Sequence, residues 1–458
     1  MQVWTRQEVK ENVPMLLDSQ RPLLKDRRFT CPAIERCIEM VRRGPIDPIL
    51  AWMFENCFPN TLDTTVFYSE PNGKPDTFII TGDIDAMWLR DSAAQIHPYL
   101  PFTHEDPALL KLFIGTINRQ VQCILLDPYA NAFYQHPVFG EWKHDETPMH
   151  PGVHERKWEL DSLCYFLRLS TDFYGQCGAQ ACFGDKWKTA LNSVLHVFKS
   201  QQIQSDEYSF ARTSNTNTET LALNGKGTPS RPCGLIRSAF RPSDDACTLP
   251  FLIPSNWMAK QQLERAAQLC RDIYNDEALA QECIRLSQQI GQAIHQYGLA
   301  EDAYGRSIFA YEVDGYGGQL IMDDANIPSL LSLPYLGCCS AEDPIYQTTR
   351  STLLCTANPY YFKGEFGEGI GGPHIGLNYI WPMSIIMRAL TSNSDSEIAD
   401  CLEILKTTHA GTGLMHESYH ADDPENYTRP WFGWVNSLFG ELILKLRKER
   451  AHLLNPNR

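Results

Sequence analysis

Apolar residues at spacings of three and four return repeatedly along this 458-residue chain, and no linker separates one run from the next. From Ala259 to Tyr274 the spacing is kept by Leu263, Ala266, Cys270 and Ile273; after the capping pair Asn275-Asp276 it resumes at Leu279, Cys283, Leu286, Ile290 and Ala293. The same period predicts helices over Cys31–Arg42, Asp106–Leu125, Arg156–Tyr174, Trp187–Lys199, Ala325–Leu336, Tyr346–Cys355, Leu377–Leu390, Ser396–His409 and Trp431–Arg447. The first residues, Met1–Arg6, run straight into charged, helix-like sequence. Alternating strand patterns are scarce, and no Pro/Ser/Gly tract, charge block or short repeat divides the chain. The expectation is one large all-α domain over residues 1–458.

The stretches between these helices are richer than plain connectors. Thr81–Asp91, Phe240–Asp245, Tyr311–Gly318, Lys363–Gly376 and Gly411–Trp434 collect Gly, Pro, Trp, Asp, Glu and His. Helices packed as a barrel, with such loops gathered at one end, give this pattern, and loops on a rigid scaffold are where binding and catalysis sit. The balance of 55 acidic against 40 basic residues, a net charge of −15, excludes the dense basic stripe of a nucleic-acid binder. The 10 Trp, 19 Tyr and 21 Phe suit a large core and also a carbohydrate site, where flat rings match the apolar faces of sugars. Fifteen cysteines, scattered singly apart from Cys338-Cys339 and without C-x-x-C, support neither a zinc ribbon nor a thioredoxin-like motif. With no apolar leader core at the N-terminus and no run approaching 18 apolar residues, the expectation is a cytoplasmic protein that spans no membrane.

Two familiar patterns are set aside. Gly367–Gly372 has the form G-x-G-x-x-G, but a dinucleotide loop follows a strand and opens a helix, whereas this run ends in Pro373-His374 and reads as a mobile loop. His416–His420 has the form H-E-x-x-H, in which one helix face presents two zinc ligands beside a basic Glu. Turn sequence on both sides, Gly411-Thr412-Gly413 and Asp422-Asp423-Pro424, leaves room for barely two helical turns.

The acidic turns carry more. Thr81–Ser92 holds Asp83, Asp85, Trp88, Arg90 and Asp91: Arg and Asp grip vicinal hydroxyls and Trp offers a stacking face. The plainer alternative is a helix N-terminus with a local ion pair. Phe240–Ala246 places Arg241 beside Asp244-Asp245, an arrangement in which one acid stays protonated next to an ionised neighbour, or in which Ser243 or Asp244 merely caps a turn. Tyr311–Gly317 and Trp158–Ser162 repeat the theme less specifically. Trp381 and Trp434 fit either a sugar platform or, more commonly, the core.

Phe54–Thr65, Gly82–Ser92, Glu159–Leu163, Phe240–Ala246, Gly369–His374 and Met415–Ser418, in that order along nearly the whole chain, resemble glycoside hydrolase family 125. The resemblance implies an (α/α)6 barrel and an exo-acting, metal-independent, inverting α-1,6-mannosidase without a cofactor. It implies that Glu417 is the general base and that the general acid lies in the Asp244-Asp245 pair, Asp244 being preferred. An inverting enzyme holds two such carboxyls about 6.5–9.5 Å apart, with the attacking water between them. The Arg90-Asp91 pair resembles the terminal-sugar clamp of related (α/α)6 hydrolases, and His374 and His416 are expected partners for sugar hydroxyls. The expected partner is a mannose-containing oligosaccharide such as an N-glycan or mannan fragment, with no nucleic acid or membrane; oligomeric state is not legible. The alternatives are a glucosidase-like (α/α)6 enzyme, a non-catalytic glycan-binding protein and, last, a zinc hydrolase.

Overall fold

The computed structural model describes residues 17–203 and 207–455; the reading of Met1–Arg6 lies outside them. Among the described residues, α-helices of eight residues or more are Pro32–Arg42, Pro48–Cys57, Leu89–Ile96, Pro107–Leu126, Leu160–Cys177, Asp185–Gln202, Ile253–Tyr274, Glu277–Tyr297, Pro344–Leu353, Pro382–Leu390, Asp395–Thr407 and Gly433–Glu449. Several begin on an acidic cap. The Asp47 carboxylate accepts from Ile49 and Leu50 N–H, Asp106 from Ala108 and Leu109, and Asp276 from Leu279. Asn275 and Gly178 end two of them in the left-handed region, at φ 49° and 63°.

Buried helices alternate with amphipathic ones. Leu160–Cys177 buries thirteen of its eighteen residues and is followed by Asp185–Gln202, which buries nine of eighteen along one face. Ile253–Tyr274 then packs on Glu277–Tyr297, and Pro382–Leu390 on Asp395–Thr407. Leu89–Ile96 lies between Leu160–Cys177 and Gly433–Glu449, and the last of these also packs on Pro48–Cys57. Early and late parts of the chain meet where Asp47 N–H donates to Leu454 O at 2.7 Å and Lys406 Nζ reaches Asp47 Oδ2 at 2.7 Å. One apolar cluster runs through buried residues from Cys31 to Leu454.

Pro107–Leu126 is long and apolar enough by length and composition to cross a membrane, but 61 % of its most apolar stretch is buried in the protein. It packs on the strand Asp76–Ile79, where Thr77 Oγ1 donates to Leu112 O at 3.0 Å and Arg119 Nε to Asp76 Oδ1 at 2.8 Å. Small antiparallel sheets sit at helix starts. Met87–Trp88, Ala132–Phe133 and Val153–Glu155 form one, and its first strand leads directly into Leu89–Ile96. Phe251–Leu252 pairs with Glu312–Val313 and leads into Ile253–Tyr274; Tyr379–Ile380 pairs with Ser418–His420 and leads towards Pro382–Leu390.

Two readings change, and the doubt over a third is met. Ala325–Leu336 is a series of turns rather than a helix: Pro328 and Pro334 interrupt it, and the buried Asp323 carboxylate takes the N–H groups of Leu330 and Leu331 at 2.9 and 3.0 Å. Gly367–Ile370 is not a mobile loop but a strand paired with Tyr361–Gly364. Gly371, just after this strand, permits close approach, since a Cβ on it would lie 2.1 Å from Tyr379 O. His416–His420 is not helical either; Ser418–His420 is a strand paired with Asp423–Thr428.

Candidate active site

Arg90 stands in the first turn of Leu89–Ile96, held there because Leu89 N–H donates to Asn131 O at 3.1 Å and Trp88 pairs with Ala132. Only 3 % of it is exposed. Nη1 donates to Glu159 Oε2 at 2.6 Å and Asp161 Oδ2 at 3.3 Å, Nη2 donates to Asp244 Oδ1 at 3.3 Å, and Nε lies 3.4 Å from Asp91 Oδ2. One guanidinium thus serves four carboxyl groups. Its face lies 5.8 Å from the centre of the Trp434 ring, which is itself buried in the core. Asn131 Nδ2 reaches Glu155 Oε2, Glu159 Oε1 and Asp244 Oδ1 at 3.0, 3.2 and 3.4 Å.

The two aspartates of the Phe240–Ala246 turn face different partners. Asp244 N–H donates to Arg241 O and Arg241 N–H to Asp245 O, while Asp244 adopts φ 65°, a left-handed conformation that Asp tolerates better than most residues. The Asp244 side chain, 27 % exposed, turns to Arg90 and Asn131, and its backbone carbonyl accepts from Lys157 Nζ at 2.9 Å. Asp245 is fully buried and reaches His374 Nδ1 at 3.2 Å. Arg241 anchors the turn: Nε donates to Glu312 Oε1 at 2.6 Å, Nη2 reaches Thr248 Oγ1 at 3.3 Å, and the guanidinium covers Tyr311. Ser243 Oγ donates to Asp324 Oδ2 at 2.9 Å.

Glu417, 7 % exposed, precedes the strand Ser418–His420 and lies 3.5 Å from Arg429 Nη1. Arg429 also donates from Nη2 to Thr81 O at 2.7 Å and from Nε to Asp83 Oδ1 at 2.9 Å, joining the Gly411–Trp434 loop to the Thr81–Asp91 loop. Behind Glu417, the His416 ring stacks on Tyr427 at 3.8 Å, with Nδ1 3.2 Å from Arg429 O and Nε2 3.3 Å from His409 O. His416 therefore packs beneath the loop, and His420 sits edge-on to Tyr379. The two histidines do not share a helix face, which removes the zinc reading.

Electrostatics tie these groups together. Burial would lower the His374 pKa, but the hydrogen bond and charge of Asp245 and the charges of Asp244 and Glu417 outweigh it and raise it to about 9. Asp245 touches this imidazole at 3.2 Å, whereas Asp244 and Glu417 act on it through charge. Burial pushes Asp244 up, yet the Arg90 charge, a hydrogen bond from Glu159, and Lys157 and His374 hold it below the usual carboxylate range. Glu159 is pushed well above that range by burial and by the adjacent Asp244 charge, against the pull of Arg90. Burial also raises Asp161 to about 6.

Of the remaining expected residues, Asp91 Oδ1 accepts from the Thr81 hydroxyl, and Asp83 and Asp85 are exposed, Asp85 within electrostatic reach of Tyr134. Trp88 meets His154 edge-on at 5.1 Å, and Trp381 meets His374 at 6.4 Å. Although buried, Trp88 Nε1, Trp381 Nε1, Asp161 Oδ1 and Asp245 Oδ2 have no hydrogen-bond partner among the described residues, so polar groups of a ligand can complete them. Sequence reasoning missed Asn131, Lys157 and Arg429 and gave Glu159 and Asp161 only as a weak echo. Their positions in Lys157–Asp161 and beside Glu417 were the available signal.

A family model described as metal-independent alpha-mannosidase (GH125) matches residues 47–444. The chain is 43 % identical over 465 residues to the meiotically up-regulated gene 157 protein of Schizosaccharomyces pombe, covering 97 % of this chain and 91 % of that one. Among solved structures it is similar to a Streptococcus pneumoniae metal-independent α-mannosidase in a non-productive complex with α-1,6-mannobiose, with TM-score 0.89, 38 % identity, and 92 % and 100 % of the two chains covered. A bacterial glucoamylase complexed with acarbose shares the fold at TM-score 0.55 and 11 % identity, over 89 % of this chain and 56 % of that one. The chain therefore belongs to glycoside hydrolase family 125, the metal-independent α-mannosidases.

Proposed function

We propose that the enzyme removes single non-reducing terminal mannose units from α-1,6-linked mannosides with inversion at C1. The observation that carries this reading is a pair of carboxyls tied to the Thr81–Asp91 segment from two sides: Asp244 lies 3.3 Å from the Arg90 guanidinium, and Glu417 lies 3.5 Å from Arg429, which donates to Thr81 O at 2.7 Å. In this mechanism Asp244, the partly exposed member of its pair, protonates the departing glycosidic oxygen. A water on the opposite face of the sugar gives a proton to Glu417 and attacks C1; the C1–O bond to the leaving sugar breaks, and β-mannose results. Arg90, Asp91 and the two unpartnered indole N–H groups of Trp88 and Trp381 grip the terminal mannose, with Asp83 and Asp85 at the exposed rim. The α-1,6 linkage follows the ligand of the pneumococcal relative. The alternation of buried and amphipathic helices supports an (α/α)6 barrel, and fifteen free thiols fit a reducing cytoplasm.

The test is mannose release from α-1,6-mannobiose with excess chelator, followed by NMR of the first-formed anomer. The expected result is chelator-insensitive release of β-mannose and no action on α-linked glucose disaccharides. Release of α-mannose overturns inversion, and release of glucose moves the reading to a glucosidase. A parent protein that binds the disaccharide without turnover supports glycan binding alone.

A further inference from the structure

Glu159 has no part in the mechanism above, yet it is completely buried at the heart of the site. Its Oε2 accepts from Arg90 Nη1 at 2.6 Å and from Ser162 Oγ at 2.9 Å, and its Oε1 accepts from Asn131 at 3.2 Å. Arg90 and Asn131 hold Asp244 Oδ1 as well, at 3.3 and 3.4 Å, so the two carboxyls are clamped by the same pair of donors. Charge does not balance here if every acid is ionised. Arg90 faces Asp91, Glu159, Asp161 and Asp244, while Lys157 and Arg212 are shared among Glu155, Glu219 and Asp145, and Arg429, which also acts on Asp91, is engaged by Asp83 and Glu417. The neutral Cys247 thiol adds nothing, and the His374 charge sits on the Asp245 side of the turn. Adjacent carboxyls in such a setting retain a proton between them.

We propose that Glu159 is a positioning residue that keeps this proton for Asp244 and hands it over when substrate arrives. The assignment rests on the reading of Asp244 as the general acid. The trigger is solvation. Asp244 is 27 % exposed in the free enzyme, whereas Glu159 is already fully buried. A mannoside covering Asp244 strips water from its charged form and makes it the stronger base, while Glu159 is little affected. The Glu159 O–H proton then passes to Asp244, and Asp244 gives it to the glycosidic oxygen as the C1–O bond breaks. Glu159 is left as a carboxylate beside Arg90 and regains a proton from solvent after product leaves; Glu417 releases to solvent the proton it took from water. Burial and the Asp244 charge, which hold Glu159 well above the carboxylate range, agree with this resting distribution.

The test compares the parent with Glu159→Gln, Glu159→Asp and Asp244→Asn on α-1,6-mannobiose and on α-mannosyl fluoride, whose leaving group needs no proton, measuring kcat/KM against pH. Without the neighbouring carboxyl, Asp244 beside Arg90 ionises at lower pH. Glu159→Gln is therefore expected to move the basic limb on the disaccharide down by about one pH unit and to lose roughly tenfold or more near neutrality, with little loss on the fluoride. Glu159→Asp keeps a titratable group and is expected to return the limb towards the parent position, which keeps the test alive if the Gln variant fails to fold. An unmoved limb in Glu159→Gln, equal losses on the two substrates, or a Glu159→Asp limb displaced by a full unit overturns the role of Glu159. The underlying reading is tested separately. Asp244→Asn is expected to lose the disaccharide and keep the fluoride, and equal loss on both, or none, overturns Asp244 as the acid.

Discussion

Replacing Arg90 with Met removes the guanidinium that Asp91, Glu159, Asp161 and Asp244 share, with little change in side-chain length. Removing one partner of a buried ion pair typically costs about 3–5 kcal/mol, because the other charge is left without compensation. The stranded acids can escape by taking up protons, so the penalty depends on pH. At pH 8 they must give up protons to keep their charge, and the full ~4 kcal/mol is expected. At pH 5, below the Asp161 value of about 6, that carboxyl is already neutral in the parent, and its neighbours protonate readily once the guanidinium is gone. There the loss falls to about half. Unfolding entropy of ~2.1 cal/mol/K per residue gives roughly 1 kcal/mol/K for the 458-residue chain. The variant should therefore melt about 4 °C below the parent at pH 8 and about 2 °C below it at pH 5, by calorimetry at matched ionic strength. A deficit as large at pH 5 as at pH 8 would refute the argument, since it would mean that Arg90 contributes packing rather than charge.

Away from the site, His97 is held between Asp172 at 3.3 Å and Glu441 at 3.4 Å; burial and Arg168 act against its charge, yet these acids raise its pKa to about 9. A raised pKa stabilises the fold fully below the unfolded value of about 6.5 and is lost as pH climbs through about 9. His97→Gln should thus melt about 2 °C below the parent at pH 6 and within about 1 °C of it at pH 10; a gap that widens with pH refutes the linkage. In the hairpin that leads to His374, a Cβ on Gly371 would lie 2.1 Å from Tyr379 O and 2.8 Å from Phe362. Gly371→Ala should cost about 1–3 kcal/mol and roughly tenfold in kcat/KM, whereas Gly184→Ala, where a Cβ meets nothing within 4 Å, serves as the neutral control. Equal melting temperatures for the two variants would refute the packing argument.

Long amphipathic helices were legible because an exposed face makes the period visible: Glu277–Tyr297 and Asp185–Gln202 emerge close to where spacing put them. Pro48–Cys57 escaped because it is apolar nearly all round, with Leu50, Trp52, Met53 and Phe54 all buried. Ala325–Leu336 misled for the opposite reason: its apolar residues are buried, but in turns. Strands two residues long, such as Met87–Trp88, cannot show alternation at all. At the site, clustered acids marked the Thr81–Asp91 and Phe240–Asp245 turns, and the structure brings Arg90 and Asp244 together. Arg429 was invisible because its meaning lies in Asp83, 346 positions away. The H-E-x-x-H letters carry no geometry of their own; in a strand they separate what a helix would align.

The contact between Asp83 and Arg429 also sets a timetable. On a ribosome adding roughly 5–20 residues per second, the Asp244 turn is made on the order of ten to thirty seconds before Glu417 exists. Throughout that interval the nascent chain holds Arg90 and Asp244 but neither Glu417, the proposed base, nor Arg429. Arg429 arrives twelve residues after Glu417 and ties it to a loop made near the start of synthesis. Hydrolytic competence therefore comes all at once and late. On the proposed role of Glu417, premature termination between these segments yields no partially active mannosidase, only a chain that lacks its base.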